Sequence, residues 1–433
     1  MSNIVHRLPG LTLTDHAFTV PLDYARPDGE SITIYAREVV SPARESAALP
    51  WLVFLQGGPG FGSPRPQSVD SQTGWLKRAL RDYRVLLLDQ RGTGLSTPVN
   101  AQTLARLATP QAQADYLKHF RADSIVRDAE FIRRQLLGEA GRWSLLGQSY
   151  GGFCGVHYLS AAPAGLAEVL LTGGLPPLNH APDDVYRATY PRVIEKNRRY
   201  YERYPEDVQR AKDVADYLAA HAVYLPTGDR LSPRRFQQLG LGFGASDGFE
   251  HAHYLLEEAF VQGAAGLEIN HAFLRGFENL QAFDTNPIYA ILHEAIYCEG
   301  AASNWSAQRV RAEYPHLEVS SSDRVYLTGE MIYPWMFDEY SQLRPLKEAA
   351  EILAAYDGWP SLYDAAALRA NSVPCAAAVY YDDMYVDRLL AEETAQNLQG
   401  IKLWITNEYE HNGLRIDGDI ILNRLLGMLH GEA

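Results

Sequence analysis

Cysteine is scarce in this chain. Cys154, Cys298 and Cys375 are widely spaced, odd in number and form no C-x-x-C pair. That excludes a disulfide framework and a cysteine-ligated zinc site, and it fits reduced thiols in the cytoplasm. Long apolar runs are missing too. No window approaches the roughly 18 apolar residues of a membrane helix, and Met1–Arg7 lacks the apolar stretch of a signal peptide. A cytoplasmic protein with no membrane partner is expected. Positive charge is in deficit, with 39 basic against 53 acidic side chains and a formal net charge of −14. A nucleic-acid partner needs a basic face, so that class is excluded. A cationic substrate is compatible with the charge, as is the ordinary acidity of many globular proteins.

Ligand motifs fail in several places. Gln56-Gly57-Gly58-Pro59-Gly60 is glycine-rich, but no Gly-Lys-Ser/Thr follows, so it is not a phosphate loop. His251-Ala252-His253 has no third ligand placed with it. His293-Glu294 lacks the second histidine of a zincin motif. Neither a metal nor another cofactor is expected.

The chain does hold a nucleophile elbow. The apolar run Arg142-Trp143-Ser144-Leu145-Leu146 leads into Gly147-Gln148-Ser149-Tyr150-Gly151, and Phe153–Leu159 then looks helical. G-x-S-x-G arises by chance in about one chain in ten of this length, so the strand before it and the helix after it carry the weight. The flanking glycines relieve collisions in a turn sharp enough to lift a serine hydroxyl clear of a sheet.

With 433 residues, 46% apolar and 21% charged, the chain is globular and large enough for one domain with a long insertion. Eight strand-like runs fall into two blocks. Leu11–Val20 and Ser31–Val40 alternate around the turn Arg26-Pro27-Asp28-Gly29, as a hairpin does. Trp51–Leu55, Arg84–Leu88, Trp143–Leu146 and Glu168–Leu171 are short and nearly all apolar, as in a parallel sheet buried on both faces. Ser124–Leu137 carries Ile125, Ala129, Ile132 and Leu136 on one helical face. Cys375–Tyr381 and Lys402–Ile405 come some 200 residues later, around the helical stretch Arg388–Leu398. Between the blocks, aromatic and charged residues interleave at helical spacing in Tyr190–Tyr204, Arg210–His221 and His253–Phe260. The pattern predicts an α/β fold: an eight-stranded, mostly parallel sheet in core segments 1–177 and 369–433, with a mainly helical cap over 178–368.

An activated serine on this fold needs an acid and a base later in the chain, in the order Ser, Asp, His. After the penultimate strand the chain reads Tyr381-Asp382-Asp383-Met384-Tyr385-Val386-Asp387. Asp383 is favoured as the acid over Asp382, which is expected to cap the turn. After the last strand it reads Asn407-Glu408-Tyr409-Glu410-His411-Asn412-Gly413, and His411 is the base. The Gly57-Gly58 turn is placed to join the Tyr150 N–H in an oxyanion hole. Asp89-Gln90-Arg91-Gly92-Thr93-Gly94-Leu95-Ser96 follows the next strand, and its charges are expected to brace that loop.

Gly57-Gly58-Pro59-Gly60, the Asp89–Ser96 motif and Gly147-Gln148-Ser149-Tyr150-Gly151-Gly152 together resemble the prolyl aminopeptidases (proline iminopeptidases), serine peptidases of the α/β-hydrolase type. The Tyr381–Asp387 and Asn407–Arg415 segments are similar to larger members of that family. One departure is Gln56, where many relatives have His; it touches loop anchoring more than chemistry. The resemblance implies release of an N-terminal residue, usually proline, from a small peptide whose free amine is gripped by cap carboxylates. His293-Glu294-Ala295-Ile296-Tyr297 and Gly329-Glu330-Met331-Ile332-Tyr333 resemble the amine-binding positions, with Glu257 and Glu258 as weaker rivals. The competing readings are a cap-bearing esterase, a tripeptide-releasing peptidase and a hydrolase-fold protein without turnover. The sequence carries no signal of oligomeric state.

Overall fold

The computed structural model describes residues 4–70, 74–264, 266–319 and 323–432. Its strands are β1 (Ile4–Leu8), β2 (Leu11–Pro21), β3 (Ser31–Val40), β4 (Trp51–Leu55), β5 (Arg84–Leu88), β6 (Trp143–Gln148), β7 (Leu166–Thr172), β8 (Phe260–Gly263), β9 (Gly266–Ile269), β10 (Cys375–Tyr380) and β11 (Ile401–Thr406). Nine of them form one sheet in the order β1-β2-β3-β5-β4-β6-β7-β10-β11. The β1–β2, β2–β3 and β3–β5 pairs are antiparallel, and every later pair is parallel. The sheet therefore has one strand more than the eight expected. The extra one, Ile4–Leu8, is an edge strand exposed along almost its whole length. It has no buried face, so it lacks the alternation by which a strand is read.

The parallel strands are apolar on both faces because both faces are covered. Leu52 and Phe54 of β4 pack with Trp75 and Leu76 of the helix Gly74–Ala79 and with Ile421, Leu422 and Leu425 of the C-terminal helix Gly418–His430. Val53 and Leu55 join the opposite layer, with Ile125, Ala129 and Ile132 of the helix Ala122–Leu137. Between β7 and β10 the chain is mainly helical. Its longest element is the helix Pro182–Arg203, and its one hairpin among the described residues is β8–β9. Phe260, read as the end of a helix, begins that hairpin.

The Asp89–Ser96 segment braces the sheet's C-terminal edge, but Asp89 and Arg91 have different partners. Asp89 Oδ1 accepts the Ser63 N–H at 2.8 Å and Oδ2 accepts the Leu95 N–H at 2.8 Å, which fastens the end of the Gly-Gly-Pro-Gly loop. Gln90 donates to the Gln56 carbonyl at 2.9 Å. Arg91 forks onto Asp128 of the helix Ala122–Leu137, with contacts of 2.7 and 2.6 Å, and also donates to the carbonyls of Leu22 and His119. Tyr24 donates to the same carboxylate. Both side chains are fully enclosed.

Removing one member of such a pair strands the other as an unpaired buried charge, at a cost of about 3–5 kcal/mol. Arg91→Met is expected to lower unfolding stability in denaturant by that amount. The Arg91→Met, Asp128→Leu double variant should recover a large part of it, because no charge is then left uncompensated. A double variant less stable than the sum of both singles would contradict this account.

Candidate active site

Ser149 sits between the end of β6 and the helix Tyr150–Ala161 with φ 54° and ψ −124°. A non-glycine residue rarely takes positive φ, and here neighbouring backbone enforces it. The Ser149 N–H donates to the Thr172 carbonyl of β7 at 2.9 Å, and its carbonyl accepts the Gly152 N–H at 2.7 Å. A Cβ at Gly151 would lie 1.9 Å from the Leu55 carbonyl oxygen, so no other residue fits there. The hydroxyl is held at the C-terminal edge of the sheet, where this fold binds its ligands.

The oxyanion candidates converge on the same point. A Cβ at Gly57 would meet the Ser149 Cβ at 2.7 Å, so this loop passes in contact with the serine. Gly58 takes φ 130° and lines the cavity in front of Ser149. Tyr150 opens the elbow helix, where backbone N–H groups have no intrahelical acceptor.

Asp383 and His411 meet at 2.6 Å, Asp383 Oδ2 to His411 Nδ1. The other carboxylate oxygen accepts the N–H groups of Tyr385 at 2.9 Å and Val386 at 3.0 Å. Burial alone would lower the His411 pKa. The adjoining Asp383 charge and hydrogen bond, and then Glu330, outweigh it and raise the pKa above the ordinary imidazole value. Asp382, one residue away, accepts instead from Arg199 at 2.8 Å rather than capping the turn.

Residues between β7 and β10 reach both loops. The His411 N–H donates to the Gly244 carbonyl at 3.1 Å, and the Tyr385 hydroxyl donates to the Leu241 carbonyl while its ring stands edge-on to the imidazole at 4.9 Å. Arg192, Lys196 and Arg199 lie on one face of the helix Pro182–Arg203, at i, i+4 and i+7. They pair with Asp387, Glu410 and Asp382 respectively. Sequence reasoning missed this stripe. Its spacing was visible, but its partners lie about 200 residues downstream.

Ser149, His411, Gln56, Gly58, Tyr289 and Glu330 are among the residues lining a cavity of about 240 Å³. That is smaller than the ~300–1,000 Å³ of sites for drug-sized ligands, so it suits one small residue. Glu330 is 15% exposed, accepts from the Tyr289 hydroxyl, and lies 3.9 Å from His293. Burial pushes its pKa up to about 7, against the opposing Tyr289 hydrogen bond. Burial also pushes His293 down to about 4, so at neutral pH it brings Glu330 no positive charge.

Glu294 is placed differently. Its two oxygens accept the N–H groups of Ser306 at 3.1 Å and Ala307 at 2.8 Å, at the start of the helix Ser306–Arg311, and it does not line the Ser149 cavity. The rivals lie elsewhere as well. Glu257 is near His253 and Arg210, and Glu258 ends the helix Gly248–Glu257. His253 is engaged by Asp207 at 2.9 Å and stacked on Tyr204.

A family model described as alpha/beta hydrolase fold matches residues 50–260. A proline iminopeptidase of Aeromonas sobria is 53% identical over 428 residues, covering 98% of this chain and 99% of the relative. A proline iminopeptidase of Aspergillus aculeatus is 35% identical over 431 residues, covering 98% and 95%. A tripeptidyl aminopeptidase of Streptomyces coelicolor is 26% identical over 263 residues, which is 53% of this chain and 45% of the relative. Two relatives matched over nearly their whole length, on a sheet of this topology, decide the kinship: the chain belongs to the proline iminopeptidase family of α/β-hydrolases.

Proposed function

We propose that this protein is a serine aminopeptidase that releases N-terminal proline from small peptides through an acyl-enzyme on Ser149. The observation that carries the reading is the shared cavity: Ser149, the Asp383-supported His411 and the ionisable Glu330 line one space sized for a single residue. His411 takes the Ser149 proton as the hydroxyl attacks the carbonyl of the first residue. Asp383 holds the imidazole by Nδ1 and stabilises its charged form. The N–H groups of Tyr150 and of the Gly57-Gly58 turn receive the developing oxyanion. His411 then protonates the departing amine, and water releases the acyl group.

Glu330 is the residue we assign to the substrate's ammonium. Its charge meets a hydroxyl and a neutral imidazole, so a cationic amine would complete it. Glu294, expected as a second amine ligand, is assigned to shaping the cap through its hold on Ser306 and Ala307. An esterase has no use for the Glu330 charge. Three buried free thiols fit a cytoplasmic setting.

Ser149→Ala and Asp383→Asn should each lower kcat by about 10⁴-fold while the protein stays folded. Asp382→Asn, which loses only a partly exposed contact to Arg199, should retain most activity. Comparing kcat of the three folded variants on proline naphthylamide checks the assignment. A dead Asp382→Asn beside an active Asp383→Asn would reverse it.

Glu330→Gln should lower kcat/KM for free-amine substrates roughly ten- to a hundredfold, the worth of a charge-assisted contact. Labelling of Ser149 by a small fluorophosphonate, which has no amine, should change far less. The pH profile gives a second readout. Glu330 carries charge above its pKa of about 7 and loses it below. Wild-type kcat/KM should therefore fall on acidification with two ionisations, Glu330 and His411, and with one in Glu330→Gln. Equal cleavage of N-acetylated and free proline substrates would remove the amine from the mechanism.

A further inference from the structure

A second cavity of about 440 Å³ adjoins the first. The two share Gln56, Phe61, Gln148 and Arg415 as lining residues. The second includes neither Glu330 nor Tyr289, so it opens away from the carboxylate assigned to the amine. Its other walls include Gly62 and Pro64, which are partly open to solvent, with the core residues Trp75 and Leu414 beneath them. A substrate with its amine at Glu330 and its carbonyl at Ser149 has its remaining residues on the other side of the scissile bond. The adjoining space is where they would go.

Arg415 stands at the junction. It lies in the short helix Gly413–Ile416, four residues past His411, and its side chain is exposed. Among the described residues no carboxylate pairs with it. Asp417 instead takes the Tyr409 hydroxyl at 2.8 Å, and Asp419 lies 3.5 Å from Arg81. Its charge nevertheless acts on His411, opposing imidazole protonation, so it is close to the chemistry. Arg415 is the one arginine among the residues lining both cavities, so its guanidinium is the cation these two spaces share.

Resting on the proposed peptidase activity, we propose that this second cavity is the leaving-group subsite, and that Arg415 binds the free C-terminal carboxylate of short peptide substrates. A guanidinium presents parallel N–H donors that match a carboxylate bidentately. Each further residue moves that carboxylate by about 3.3–3.6 Å, so the preference selects length: the favoured peptide is the one whose end reaches Arg415. Longer chains pass the guanidinium with a neutral peptide group and gain nothing from it.

The test compares Pro-Ala, Pro-Ala-Ala and Pro-Ala-Ala-Ala as free acids and as C-terminal amides, at pH 8 and low salt. The wild-type kcat/KM should favour the acid over the amide about tenfold at one length. That ratio should fall to about one in Arg415→Gln and survive in part in Arg415→Lys. Acid and amide are compared on the same enzyme, so a general loss of activity through the nearby His411 cancels in the ratio. A wild-type ratio of one at every length overturns the inference, as does a ratio that persists in Arg415→Gln. Turnover of proline naphthylamide with no acid preference would refute this subsite alone. Failure to cleave any substrate with a free N-terminal proline would refute the activity itself.

Discussion

The close approach of three backbone segments at Ser149 is the constraint on which the site depends. The ends of β4, β6 and β7 lie side by side in the sheet, and the loops that leave them have no spare volume between them. Gly151 packs against the Leu55 carbonyl, and Gly174 against the Ser149 carbonyl, each closer than any Cβ would allow. A chain forced through that space must carry its serine at positive φ, which is how the hydroxyl comes to stand clear of the sheet. The cost of an unfavourable φ,ψ, of order 1–3 kcal/mol, is carried by a core buried on both faces. The same crowding brings the Gly57-Gly58 loop into contact with Ser149. Ser149 and the Gly57-Gly58 loop are thus set by one packing arrangement.

Asp383 and His411 are held by electrostatics as well as packing. Asp382, Asp383, Asp387 and Glu410 crowd two short loops, and like charges at such distances repel. The helix Pro182–Arg203 supplies three cations at helical spacing to answer three of them, leaving Asp383 to the imidazole. These pairs are unequal. Lys196 is 3% exposed against 28% for Glu410, so losing Glu410 would leave the enclosed ammonium without its counter-charge. Arg199 is more open to solvent, and an exposed pair is worth about 0–1 kcal/mol. The helix Pro182–Arg203 therefore does more than pack over the sheet. It neutralises the loops that carry Asp383 and His411, so the seating of the helix and the placement of His411 are physically linked.

What could be read beforehand follows from these causes. Strands buried on both faces announce themselves as apolar runs, and the elbow announces itself through glycines that sterics demand. Asp383 and His411 follow from their position after the last two strands. Ile4–Leu8 escaped notice because an exposed edge strand is specified by backbone pairing, which leaves no hydrophobic pattern. The two glutamates looked alike because both sit among apolar residues. What separates them is that one accepts two helix N–H groups while the other faces a cavity, a difference of tertiary placement. Arg415 drew no attention as a separate feature, because an arginine that no carboxylate pairs with among the described residues is recognisable only once the carboxylates have been located.

The two charges assigned to the substrate's ends are not equivalent. Glu330 is enclosed, and its pKa is raised by the loss of solvent, so an ammonium placed against it acts across little water and is felt strongly. Arg415 is exposed, where solvent and salt screen the same unit charge. Discrimination should therefore be steep at the amino end of the peptide and shallow at the carboxyl end. A site built this way treats the free amine as a requirement and peptide length as a preference. Glu330 also stands near the imidazole and favours its protonated form, whereas Arg415 opposes it. An ammonium seated on Glu330 offsets the first influence, and a carboxylate seated on Arg415 offsets the second. A short peptide that fills both positions thus leaves Asp383 as the main charge acting on His411.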